Sequence, residues 1–367
     1  MIFGSKAGSA KVSVSSATDA LQSGVPLAKA RYTRSTLYFT HVSTFSWKIG
    51  TITCGSDAMI GVKRELAAYK QTMKPESLAM AIVGPGRVGT AVACACQEMG
   101  ADILCAFRKD EGSRRAFAFR QRTGVSVLDW RDAAPVARAA DVIWITVPDR
   151  EIVSVAAQLC EFDAIRPGQI VIHTSGALAS TALAAAADCG ARVGSVHPLQ
   201  TFADHGDGAK ALSGIAIAVE GHPDVVQAAF AWARRWGSQP FVLAAEDKVA
   251  YHAAAALASN ALVALLATAS RLAPLPDGVR SLLPLVRGTI DNVQRLGIPE
   301  ALTGPIERGD VATVAKHLEV LMGHPEARAV YLALARATVP IAEAKGSIGA
   351  AQADEFMQWL GSETGGD

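Results

Sequence analysis

The run from Leu78 to Gly100 constrains this chain most. Six apolar residues, Leu78 to Val83, have the composition of a short strand buried on both faces. Gly84, Gly86 and Gly89 follow at the spacing G-x-G-x-x-G, and Thr90 to Met99 reads as a helix stopped by Gly100. Gly84 permits a tight bend, Gly86 lets a pyrophosphate approach the backbone, and Gly89 lets helix and strand pack closely. The free N–H groups and dipole at the helix start then face the phosphate charge. Strand, turn and helix in this order predict a dinucleotide site built on Gly84, Pro85, Gly86, Arg87, Val88 and Gly89.

The second strand, Ala101 to Phe107, ends where an NAD site carries an acid for the ribose 2′-hydroxyl. Arg108 and Lys109 stand there instead, with Ser113, Arg114 and Arg115 just beyond. A guanidinium suits a 2′-phosphate through paired, charged hydrogen bonds, so Arg108 predicts NADP in preference to NAD.

From Leu78 onward strand and helix signals alternate. Val125–Leu128, Ala140–Val147, Gln169–His173, Arg192–Val196, Ile215–Val219 and Gln239–Leu243 read as further strands. The alternation predicts an α/β fold, a doubly wound Rossmann-type sheet domain over residues 77–244. Ligands in such sheets sit beyond the carboxyl ends of the strands, which adds Val147, Pro148 and Thr174 to the cofactor site and Ser175 and His197 to the catalytic candidates. Beyond Glu246 strand signals vanish, and helical runs separated by Pro and Gly turns predict an all-α domain over 245–361. Residues 1–76 do not fit this pattern: the first 56 hold six Lys/Arg against one acid, Asp19, and read as a poorly ordered extension.

The formal net charge of +1 gives no reason to invoke nucleic acid or an anionic membrane. Six cysteines without metal spacing read as reduced thiols of a cytoplasmic protein. The apolar run Ala253–Ala269 is interrupted by Ser259 and Asn260 and falls short of a membrane span; it reads as a core or subunit-interface helix, which predicts a homodimer through the helical domain.

The glycine turn, Asp141–Asp149, His173–Ala177, Gly194–Phe202, Lys248–His252 and Leu302–Asp310 together resemble a family that pairs a Rossmann-like domain with a helical domain of unknown function. Its plan is similar to that of 3-hydroxyisobutyrate and 6-phosphogluconate dehydrogenases, and more distantly of ketopantoate and pyrroline-5-carboxylate reductases. The resemblance implies NAD(P)-dependent oxidoreduction. In the first two relatives a Lys-x-x-x-Asn pair on the first long helix after the sheet serves the substrate. Lys248 matches the lysine, and His252 replaces the asparagine.

On a helix Lys248, His252, Ala255 and Ser259 share one face, so a cation and an imidazole are available together as a proton-handling pair. Arg308 offers a guanidinium to a substrate carboxylate. The sequence thus predicts an NADP-dependent oxidoreductase for a small, polar, carboxylated molecule, with a non-catalytic dinucleotide-binding sensor or scaffold as the alternative. A charged hydrogen bond is worth about 1.5–3 kcal/mol, so Arg108→Ala is expected to weaken NADPH binding roughly 10- to 150-fold and NADH binding little. Equal loss of both in a fluorescence titration refutes this role for Arg108.

Overall fold

The computed structural model describes residues 78–107, 112–204 and 208–363, with the backbone of three strands nearer the start. These are β1 (Ala30–Thr33), β2 (Thr36–Ser43) and β3 (Ser46–Thr53), an antiparallel three-stranded sheet that the sequence did not announce. The rest of 1–76, and with it the expected extension, lies outside the described residues, as does Arg108. The chain divides into two compact units, one through Ala254 and one from Ala255.

The first unit is built on an eight-stranded sheet. Its strands are β4 (Ala79–Val83), β5 (Asp102–Phe107), β6 (Val127–Leu128), β7 (Val142–Ile145), β8 (Ile170–His173), β9 (Arg192–Pro198), β10 (Ala216–Gly221) and β11 (Gln239–Val242). They lie in the order β11-β10-β9-β8-β7-β4-β5-β6. The chain leaves β4 for β5 and β6 on one side and returns to β7 on the other. The gap between the tips of β4 and β7 is therefore the switch point, where such sheets open a crevice.

All pairs are parallel except β9 with β10. This departs from a wholly parallel sheet. Among the described residues the connection from β9 to β10 carries only a short 3₁₀ helix, Gly208–Leu212, and no α-helix of the kind that usually returns the chain for a parallel pair.

Helices cover both faces. α1 (Arg87–Glu98), α2 (Arg114–Thr123) and α6 (Pro223–Arg235) share one core cluster, while α3 (Trp130–Ala139), α4 (Asp149–Glu161) and α5 (Ala184–Asp188) share the other. The strands serve both by period-two alternation: Met80 and Ile82 enter the first core, Ala81 and Val83 the second. At the centre of the first, Trp144 packs against Trp232 and Trp236 at ring-centroid distances of 5.8 and 6.2 Å.

Cys160 and Cys189 form a disulfide across 29 residues, which corrects the reading of six reduced thiols. The pairing follows from the packing of α4 against α5, which brings their last turns together. Cys94, Cys96 and Cys105 are free.

The first unit ends in α7 (Lys248–Ala258), which continues past Ser259 into α8 (Asn260–Leu272). The helical stretch Ala245–Leu272 has a window of mean hydropathy 1.7 and is, by length and composition, long enough to cross a membrane. The interruption at Ser259 does not shorten it as the sequence reading supposed. Val249, Leu257, Val263 and Leu265 on it are exposed.

In the second unit α9 (Val279–Leu296) and α10 (Ile298–Ala301) carry no buried residue. α11 (Val311–Leu321), α12 (Pro325–Lys345) and α13 (Ala350–Ser362) enclose a small core around Val314, Leu332, Val339 and Phe356. The helix α13 was not anticipated.

Trp144 is fully buried, and its indole Nε1–H finds no hydrogen-bond partner among the described residues. Trp144→Ala opens a cavity and is expected to cost about 3–5 kcal/mol. Trp144→Phe sheds the unpaired donor and is expected to cost clearly less. Urea denaturation of both variants checks this; equal losses refute it.

Candidate functional site

The glycine turn adopts the conformation its chemistry requires. Gly84 has φ +95°, a region closed to most side chains. A Cβ on Gly89 would lie 2.5 Å from the Gly84 carbonyl and 2.6 Å from Thr146 Oγ1. Thr146 Oγ1 donates to the Gly84 carbonyl at 2.7 Å, and Thr90 Oγ1 donates to that of Gly86 at 2.8 Å, which fixes the loop from both sides. A Cβ on Gly86, by contrast, would meet nothing within 4 Å among the described residues. The first helical bond of α1 runs from Thr90 N–H to the Gly86 carbonyl. The N–H groups of Arg87, Val88 and Gly89 precede it, so they are the turn that a helix leaves for an outside acceptor.

This open face belongs to a cavity of about 620 Å³ at the switch point. Of the expected cofactor residues, Gly84, Gly86, Val147 and Pro148 line it. Pro85 is buried, Arg87 is exposed and donates to the Ala203 carbonyl at 3.0 Å, and Val88 packs against the first core. Thr174 continues the β8 tip, its N–H on the Ile145 carbonyl. The sequence reading missed Trp130, Arg150, Ser154 and Gln158 of the lining, and it did not assign Arg115 there. Trp130 meets Phe107 edge-on at 5.6 Å and stacks on Phe162 at 6.1 Å, so its ring forms a fixed aromatic wall. The cavity thus offers the open Gly86 backbone at the start of α1, the guanidiniums of Arg115 and Arg150, the carboxylate of Glu151 paired with Arg150 at 3.7 Å, and a flat apolar surface.

Three strand tips away from the glycine turn, about 14 Å at ~4.8 Å per strand, a second group of polar residues gathers. Asp149, between two lining residues of the cavity, accepts from Ser175 Oγ at 2.7 Å. Ser175 Oγ also accepts from the N–H groups of Ala177 and Leu178, which uses its donor and both lone pairs. Ser175 is thereby built into the turn after β8. His173 donates from Nε2 to the Ala179 carbonyl and accepts the Ser175 N–H on Nδ1, so its neutral tautomer is fixed; burial pulls its pKa down to about 4.

Lys248 is 1% exposed. Its ammonium donates to Ser195 Oγ at 2.7 Å and to the Ser175 carbonyl at 3.2 Å, and so ties α7 to the tips of β8 and β9. Burial lowers its pKa, against the opposing charges of Glu220 and Asp149. His197, at the tip of β9, shares a 2.8 Å hydrogen bond between Nδ1 and the Tyr251 hydroxyl and stands edge-on to His252 at 6.1 Å. Burial first, then the Lys248 charge, lowers its pKa to about 4. The structure therefore brings together Ser175, His197, Lys248 and His252, with Asp149 and Tyr251 as members the sequence reading did not single out. Tyr251 carried a signal in standing beside His252.

Arg308 lies in the second unit. Glu307 beside it is held by Lys345 at 2.9 Å and Ser347 at 2.8 Å, and Asp310 caps α11 through Thr313. Gly304 and Gly309 have φ +111° and +67°, so residues 304–309 are a turn and Pro305 does not open a helix. Arg308 is exposed on it.

A mostly parallel, doubly wound sheet with a glycine turn at its switch point and helices after it defines a Rossmann-like protein with a helical C-terminal region. Residues 65–198 match the Rossmann-like domain model, and residues 215–338 match a domain of unknown function, DUF2520; the chain carries both, in that order. Among solved structures, a Bacteroides fragilis protein provisionally assigned as an NADP oxidoreductase is 22% identical, with 72% of this chain and 98% of that one covered and a TM-score of 0.59. A Thermotoga maritima protein is 24% identical over 72% and 99%, with a TM-score of 0.55. An imine reductase from Myxococcus stipitatus in complex with NADP+ is 18% identical over 76% and 99%, with a TM-score of 0.50. No curated protein matches the sequence.

His173 and His197 both titrate near 4 in the folded protein, below the ordinary value of 6.5. The unfolded chain therefore takes up protons first as pH falls. Stability is fully present above about pH 6.5 and is lost from there toward pH 4, at up to about 1.4 kcal/mol per pH unit for each group. A melting temperature that stays level across this window refutes the buried neutral state, and His173→Gln is expected to make the decline shallower.

Proposed function

We propose that the chain is a dinucleotide-dependent oxidoreductase that uses NADP in preference to NAD and acts on a small, polar, carboxylated molecule. The observation that carries the reading is the open space over Gly86, beside the first N–H groups of α1, inside a cavity at the switch point. Gly86 and the N–H groups of Arg87 to Gly89 hold the pyrophosphate, and Trp130 walls the adenine end. Arg115 there, with Arg108, favours a 2′-phosphate. Such a dinucleotide supplies hydride transfer when bound. The chain supplies orientation and one proton, managed in the group that includes His197, Lys248 and His252.

The exposed apolar side chains of α7 to α10 support a homodimer, in which a second copy covers Leu257, Val263, Leu285 and Ile290.

Gly86→Val separates binding from folding. The added side chain meets none of the described residues within 4 Å at its Cβ and Gly86 has φ −87°, so the fold tolerates it, while it fills the approach to the phosphates. Titration of wild type with NADPH, followed by fluorescence, is expected to show binding that Gly86→Val reduces at least 100-fold with little change in melting temperature. Absence of binding in wild type, or undiminished binding in the variant, refutes the reading.

A further inference from the structure

The end of α4 carries a feature that the cofactor reading does not use. Glu151, Ser154 and Gln158 on one face of α4 line the cavity, so the position of this helix sets one of its walls. The last turn is poorly built for a helix terminus. It holds no basic residue and carries Glu161, whose charge opposes the negative pole of the helix. The chain leaves through Asp163 at φ +52°, the left-handed position where glycine is usual, with the Asp163 and Ala164 N–H groups on the Cys160 and Leu159 carbonyls at 2.9 and 2.8 Å. What local sequence secures weakly here, a covalent bond reinforces: Cys160, in this turn, is bonded to Cys189 at the end of α5.

The other side of the same turn supports the aromatic wall of the cavity. Phe162 caps α4: its N–H reaches the Gln158 carbonyl at 3.0 Å, and its ring stacks on Trp130 at 6.1 Å. Arg138, on the helix that Trp130 opens, donates to the Asp163 and Ile165 carbonyls at 3.0 and 2.6 Å. The last turn of α4 is thus clamped between α5, through the disulfide, and α3, through Phe162 and Asp163. Both cysteines are half-buried, so a dithiol reductant can reach them. Cys160 Sγ lies 3.1 Å from the Ala185 carbonyl, which gives a reduced thiol an acceptor and lets the bridge open with α4 and α5 still packed.

We propose that the Cys160–Cys189 bridge is a redox switch on the dinucleotide cavity. Closed, it holds Phe162 against Trp130 and Gln158 in the wall. Opened by a dithiol, it lets the last turn of α4 fray and weakens dinucleotide binding. One thiolate of the reductant attacks one bridge sulfur and forms a mixed disulfide, while the other bridge sulfur leaves as a thiolate and takes a proton from water. The second thiolate of the reductant then attacks its own sulfur of the mixed disulfide, which frees the remaining cysteine to be protonated in turn. Two electrons pass to the bridge, and the reductant ends as its own disulfide. Closure and binding favour the same arrangement of α4, so the coupling is reciprocal. Bound dinucleotide makes the bridge harder to reduce by the same factor by which closure tightens binding.

This inference rests on the dinucleotide reading for affinity but not for the movement of the wall, and the experiment uses both. In full-length protein purified in air, peptide mapping is expected to show Cys160 linked to Cys189. Dithiothreitol is expected to weaken NADPH binding at least about 5-fold, and Cys189→Ser to reproduce that state without reductant. Saturating NADPH is expected to raise the ratio of reduced to oxidised dithiothreitol at the midpoint of reduction by the same factor. With 5-fluorotryptophan in place of tryptophan and no nucleotide present, reduction is expected to move the ¹⁹F resonance of Trp130, assigned with Trp130→Phe, and to leave those of Trp144 and Trp232 in place. Phe162→Ala, at an exposed position, is expected to weaken NADPH binding in the oxidised protein and to abolish the further effect of reduction. A bridge that only stabilises the fold lowers the melting temperature and leaves NADPH affinity and the Trp130 resonance unchanged, which overturns the proposal. So do free Cys160 and Cys189 thiols in air-purified protein, unfolding of the first unit on reduction, or an effect of reduction that persists in Phe162→Ala. Failure of NADPH to bind in either state overturns the dinucleotide reading instead and leaves the switch to be judged on the Trp130 resonance.

Discussion

One buried ammonium organises the chemistry-bearing end of the first unit. Lys248 has left water almost entirely, and a buried charge is tolerable only where dipoles replace its hydration. The Ser175 carbonyl and Ser195 hydroxyl do so, and they belong to the turns and strands on which His173 and His197 are mounted. The same charge helps to keep His197 neutral. Position and protonation of the imidazole thus have a common origin. Because Lys248 and Tyr251 bond into the sheet, the first turn of α7 belongs with the sheet unit, and the chain divides at 254/255 where the loss of strand signals had suggested 244/245.

The glycine turn solves a separate problem at the other end of the crevice. There the constraint is space. Gly89 has a carbonyl and a hydroxyl where its Cβ would be, whereas Gly86 has none of the described residues there, so two glycines of one motif do opposite things. One closes helix onto strand, and the other leaves the backbone approachable. Asp149 joins the two regions: its chain neighbours Pro148 and Arg150 line the cavity, and its carboxylate is bonded to the turn that carries Gly176.

The sheet, the glycine turn and the order of helices were legible because each writes a local pattern: apolar runs, fixed glycine spacing, caps. Residues whose meaning depends on strands far apart in sequence were not. Tyr251 reaches His197 across 54 residues, and Lys248 reaches Ser175 across 73. Trp130 is an ordinary helix-opening residue until β5 places Phe107 against it. The direction of β10 depended on whether the connection before it carries a crossover helix, and the Cys160–Cys189 bridge on how two helices pack, neither of which composition reveals. Ser175 shows the opposite error. A hydroxyl at a strand tip resembles a reactive group, yet the turn consumes all of its hydrogen-bonding capacity.

The antiparallel strand β10 has a consequence for motion. Had the sheet ended at β9, His197 would sit on an edge, with one ladder of backbone bonds and a frayed outer side. With β10 and β11 beyond it, β9 is an interior strand, paired to β8 on one flank and to β10 on the other, and His197 itself is in register with Ala218. Local opening at such a position requires two ladders to part together, so its amide belongs to the slowest-exchanging class. His252, on an exposed helix face, has no such restraint. The two imidazoles therefore differ in mobility: one is as still as the core, and the other is free to adjust.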